Sequence, residues 1–170
     1  MPLFDEPFCF VCPTQHRLSN RPEVTEDDLA RERLLLLDEG HCLRDQALAV
    51  CGEQAAERQV RGDDFRATSL ETICEMVAAG LGCTLLPALA VPFLTARHQR
   101  LQVRPLRAAK AFRRIGLLWR ASYPAGEDLE VLGAFIQSHL PGSVGRCLHP
   151  ARRAGLSGKR ERRKAELAVP

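Results

Sequence analysis

The sequence lacks any apolar run approaching the ~20 residues that a membrane-crossing helix needs, so no helical membrane anchor is expected. No secretory leader is expected either, since Met1-Pro2-Leu3-Phe4-Asp5-Glu6 offers no basic segment followed by an apolar stretch. A cytoplasmic location is the expectation, where thiols stay mostly reduced and a disulfide is transient or sensing. The seven cysteines, at 9, 12, 42, 51, 74, 83 and 147, are odd in number. A fully paired structural framework within one chain is thereby excluded. Nor is there the basic folded face that a complete nucleic-acid-binding module presents. Residues 1–141 hold sixteen Lys/Arg against nineteen Asp/Glu, whereas residues 142–170 hold eight against two. The body is mildly acidic and carries a basic tail.

What is present suffices for one ordinary core, or for one domain and a fragment of a second: 170 residues, 45% of them hydrophobic. Phe8-Cys9-Phe10-Val11-Cys12 reads as a strand ended by Pro13. Thr25 with Asp27-Asp28 reads as the start of a short helix, its acids placed against the helix dipole. Leu34-Leu35-Leu36-Leu37 has the composition of a strand covered on both faces. Asp38-Glu39-Gly40 turns the chain into a helix from Cys42, with Gly52 as its stop and a polar loop over 53–64. After a short strand at Phe65-Arg66-Ala67, Thr68-Ser69-Leu70-Glu71 has the S/T-x-x-E spacing of a capping box. The helix that follows places Ile73, Met76, Val77 and Leu81 near one face, and Gly80 and Gly82 close it. Further strands are predicted at Cys83–Leu86, Leu101–Val103 and Ile115–Trp119. A last helix over Asp128–Leu140 is expected to bury Leu129, Leu132, Ile136 and Leu140. The alternation of helix and strand argues an open α/β sheet. Residues 141–170 read as a basic disordered tail.

Cys42 and Cys51 carry the most specific chemistry. Nine residues of helix separate their Cα atoms by about 13 Å along the axis, whereas a disulfide needs roughly 4.4–6.8 Å. The two thiols can join only if the helix unwinds, which is the geometry of a redox switch. Cys42 occupies the first helical turn, where the dipole and free N–H groups favour a thiolate. His41 and Arg44 add positive character, and Asp45 opposes it or holds one of them in place. Two cysteines in one helix are also commonly small core residues, and spacing alone leaves both readings open.

The segment Glu39-Gly40-His41-Cys42-Leu43-Arg44-Asp45-Gln46-Ala47, with Cys51, closely resembles the redox segment of the hydrogen-peroxide-sensing members of the LysR-type transcriptional regulators. Phe65–Thr72, Met76–Gly80 and Thr84–Pro92 continue the resemblance in register, with Pro2–Pro7 upstream and Arg113–Arg120 downstream. It covers residues 2–140 and is specific, because the broader family lacks the paired cysteines. The resemblance implies an α/β regulatory domain over 1–140, like the type II periplasmic binding proteins. Residues 6–108 would form one complete subdomain, and 109–140 would return to part of another. It further implies that Cys42 is the peroxide-reactive cysteine and Cys51 its disulfide partner. His41 and Asp45 would orient the reduced thiol, and Arg113 would reach the pocket from the adjoining subdomain. The implied function is a peroxide-driven conformational switch in a transcriptional activator of the oxidative-stress response, not an enzyme. Its partners would be hydrogen peroxide as signal, a second copy of the chain, and promoter DNA and RNA polymerase through a DNA-binding domain. That winged helix-turn-helix does not precede Met1, nor do the strands that give the family's pocket its threonines, so a truncated chain is expected. Asp64 stands where better-known members place a histidine, the 52–64 loop is longer, and the tail follows no family pattern.

Other residues admit plainer readings. Cys9-x-x-Cys12-x-x-x-His16 has spacing that could suit zinc, but an odd separation on a strand sends the two thiols to opposite faces. Neither a metal nor a cofactor is expected. Cys74 and Cys83 read as small buried residues, and Cys147 as an exposed thiol in the tail. Arg66 with Thr68 and Ser69 could line an anion pocket at a helix N-terminus, against simple capping. That pocket supports an alternative function, a small-anion effector domain with incidental cysteines. A thiol peroxidase is a third reading. The run Lys159-Arg160-Glu161-Arg162-Arg163-Lys164 reads mostly as solvated charge.

Overall fold

The computed structural model describes residues 1–51, 66–96, 98–108 and 111–146. The polar loop over 53–64, the stop at Gly52, Asp64, Cys147 and the basic run lie outside the described residues.

The sheet is organised by β1 (Pro2–Pro13), much longer than the strand its sequence suggested. Its second half pairs antiparallel with β5 (Thr84–Pro87) on one side and β6 (Leu101–Arg107) on the other. Its first half pairs with β7 (Phe112–Gly116) and with β8 (Gly145–Arg146), which falls inside the stretch expected to be tail. The partners change between Pro7, opposite Phe112, and Phe8, opposite Pro87. At the far edge β2 (Val24–Thr25) runs parallel to β6. A separate parallel pair joins β3 (Leu36–Leu37) to β4 (Arg66–Ala67).

Helices cover both faces of the β1–β5–β6 region. On one side α1 (Glu26–Leu29) and α2 (Cys42–Cys51) enclose Phe8, Phe10, Cys12, Leu34, Leu36 and Val50. On the other, α3 (Leu70–Ala78) and α4 (Val91–Thr95) cover Val11, Leu35, Leu37, Ile73, Val77 and Leu86. The four consecutive leucines therefore alternate between two cores, as expected for a strand buried on both faces. Cys74 and Cys83 are buried as predicted. α3 ends in a Schellman arrangement. The Gly80 N–H bonds Val77 O at 2.9 Å and the Leu81 N–H bonds Met76 O at 3.1 Å, with Gly80 at φ +83°.

Three expectations are corrected. α3 is capped by Ser69, whose hydroxyl accepts the Thr72 N–H at 3.1 Å, and not by Thr68 with Glu71. Ser69 is the last extended residue and so takes the cap position. The 115–119 strand stops at Gly116, because the ladder ends where β1 does; Met1 and Leu117 still exchange hydrogen bonds of 2.8 and 2.9 Å. The last helix, α5 (Gly126–Ser138), buries only Gly133, while Leu132 is 45% and Phe135 60% exposed. α5 meets the N-terminal end of β1, where Gln137 Nε2 donates to the Pro2 carbonyl at 3.0 Å. The remainder of its apolar face has no covering layer among the described residues.

The capping box is at α1. The Asp28 N–H donates to Thr25 Oγ1 at 3.3 Å, and Asp28 Oδ2 accepts from the Thr25 N–H at 3.1 Å and hydroxyl at 2.9 Å. These bonds hold the Asp28 carboxyl below the usual carboxylate range. Because that value is depressed in the folded state, the contribution is complete at neutral pH and disappears as acid protonates Asp28. Thr25→Ala is expected to lower stability by about 1 kcal/mol near pH 7, and by less below about pH 4, measured as the urea midpoint at each pH.

Candidate functional site: the ends of helix α2

Asp38-Glu39-Gly40 places Cys42. The Asp38 N–H bonds the Ala67 carbonyl at 3.0 Å, fixing the turn to β4. Gly40 adopts φ +91°, a left-handed conformation that glycine takes without steric penalty. α2 then runs ten residues with a cysteine at each end. All six described cysteines are free.

The two ends differ in environment. Cys42 is exposed, as are His41 and Asp45 beside it. Cys51 is buried with Ala47 and Val50 in the core beneath the helix, and its thiol donates to the Ala47 carbonyl at 3.3 Å. Burial pushes the Cys51 thiol up to about 12. A small oxidant can reach the first sulfur but not the second. The helical rise separates their Cα atoms by about 13 Å along the axis, burial disfavours the Cys51 thiolate, and Cys51 cannot approach Cys42 while the helix stands.

The remaining candidates divide. His41, Cys42 and Asp45 share one exposed turn, whereas the Arg44 side chain turns inward and is buried. It lines a cavity of about 10 Å³ with Leu35, Leu43 and Ala47, room for about one water. Arg113 is on β7, directly opposite Glu6 of β1. Its Nε donates to Glu6 Oε2 at 2.7 Å, and the other Glu6 oxygen accepts the Leu89 N–H at 2.9 Å. Glu6 is fully buried at the point where β1 changes partners, so Arg113 and the Leu89 amide satisfy a carboxylate that water cannot reach. Among the described residues no hydrogen bond joins Arg113 to the Cys42 turn. Sequence reasoning missed Glu6, although an acid in register with an arginine is a readable sign. Thr68 is exposed, Ser69 serves as the α3 cap, and Arg66 lies in β4 opposite Leu36. Cys9 and Cys12 do not converge with His16 as a motif; His16 instead meets Glu32 and Cys83.

With a thiol reagent at about pH 8, Cys42 is expected to be modified at least ~10-fold faster than Cys51, since only the thiolate attacks and burial withholds it. Peptide mass mapping over time measures both, and equal rates in the folded chain would contradict this placement.

Among the described residues no helix is long and apolar enough to cross a membrane. The family described as LysR substrate binding domain matches residues 1–141. The chain is similar to the DNA-binding transcriptional dual regulator OxyR of Escherichia coli K12: 43% identity over 151 residues, 89% of this chain and 48% of that protein. It thus spans about half the length of the curated relatives it matches. The crystal structure of the reduced form of OxyR aligns with a TM-score of 0.69 at 43% identity, covering 83% of this chain and 64% of that one. The oxidised form aligns at 0.65 and 45% identity, covering 81% and 63%. The chain belongs to the LysR substrate-binding domain family, and within it is similar to the regulatory domain of OxyR.

Proposed function

We propose that this chain is the redox-sensing regulatory part of a LysR-type transcriptional regulator of the oxidative-stress response. The Cys42 thiolate attacks hydrogen peroxide, forming a sulfenic acid and releasing hydroxide. Cys51 then condenses with it, forming the disulfide and releasing water. The observation that carries this reading is the position of both free thiols at opposite ends of one ten-residue helix, one exposed and one buried. Peroxide reaches Cys42 first, and bonding to Cys51 requires that α2 come apart. The disulfide therefore selects a second conformation by covalent means. His41 and Asp45 orient and tune the exposed thiol, and Arg44 anchors the opposite side of the helix. Arg113, held by Glu6, is the arginine offered from the neighbouring strand pair. Residues 6–108 act as one subdomain and 109–140 as part of another, joined through β1. In a longer, paired chain the rearrangement would reposition DNA-binding domains on promoter DNA and alter contact with RNA polymerase.

Sub-stoichiometric peroxide followed by peptide mass mapping tests this. A Cys42–Cys51 linked peptide is expected, with sulfenic acid trapped on Cys42 in Cys51→Ser and no linkage in Cys42→Ser. Oxidation confined to other cysteines would overturn the reading.

A further inference from the structure

His16, Glu32 and Cys83 come from three separate segments and converge beside the α1–α2 core. His16 Nε2 is 3.1 Å from Glu32 Oε2 and 3.5 Å from Cys83 Sγ, and all three donor atoms lie within 4.8 Å of one another. Tetrahedral zinc, with bonds of about 2.3 Å to sulfur and 2.0–2.1 Å to nitrogen and oxygen, separates S from N by about 3.5 Å and N from O by about 3.3 Å. The two separations from Nε2 lie close to these values. Cys83 is buried, and the His16 and Glu32 side chains are 20% and 10% exposed.

We propose that His16, Glu32 and Cys83 form a three-residue binding site for a zinc-class divalent cation, with the fourth position left to water.

One thiolate and one carboxylate match the charge of a dication, and Arg17 holds the other Glu32 oxygen, Oε1, at 2.5 Å. Loading expels the Cys83 proton to solvent. It also moves the imidazole proton from Nε2 to Nδ1, so the Leu18 N–H that now donates to Nδ1 at 3.2 Å gives up that bond. The contacts of Nε2 with Glu32 and Cys83 are given up with it, and three protein–metal bonds take their place.

The full chain, reduced and freed of metal, is titrated with Co²⁺ and then with Zn²⁺. Sulfur-to-cobalt charge-transfer absorption with tetrahedral d–d bands, saturating at one equivalent and displaced by Zn²⁺, is the expected result. Cys83→Ser should abolish the charge-transfer band, His16→Gln should lower affinity about tenfold or more, and Cys9→Ser should change neither. A wild-type chain that is folded by circular dichroism but develops no cobalt bands would overturn the site. So would bands that persist unchanged in Cys83→Ser.

Discussion

A helix fixes the distance between its ends, and in α2 that distance keeps two thiols from meeting. The constraint is local, but it is enforced by the core. Ala47, Val50 and Cys51 are buried against the sheet, so the helix is held by packing and not by propensity alone. Val50 alone represents roughly 1.5–3 kcal/mol of burial. Rearranging α2 therefore means giving up part of the core beneath it, and a covalent bond can sustain what thermal fluctuation cannot.

The sheet gives α2 a fixed support. β1 is shared between two sets of partners, and the change occurs beside buried Glu6 and its bond to Arg113. The polar seam thus joins the part of the sheet under α2 to the part bearing β7. In relatives about twice as long, more chain accompanies this region. The apolar face that α5 presents at Leu132 and Phe135 is what a further layer would cover.

Much of this was legible in the sequence because the signals are local. The leucine run at 34–37 announces a strand with two covered faces, and Gly40 marks the left-handed turn into α2. The spacing of Cys42 and Cys51 left the redox reading open, and the resemblance of the segment around them to the peroxide-sensing LysR-type regulators carried it. What was not legible depended on distant partners. Burial of α5 could not be read from its own stripe, because burial needs an opposing surface. Choosing Ser69 over Thr68 as the cap turned on one residue's backbone angle. His16 was noticed beside Cys9 and Cys12, but its actual neighbours come from Glu32 and Cys83, which only the β1–β5 register and the loop after α1 bring close.

The account rests on α2 being intact while both thiols are free and dismantled once they are joined. Amide hydrogen exchange across 44–51, compared between the reduced chain and the chain after peroxide, tests this most directly. Slow exchange in the reduced form, lost from this segment but kept by α3 after oxidation, is the result the account predicts. Protection that survives disulfide formation would contradict it.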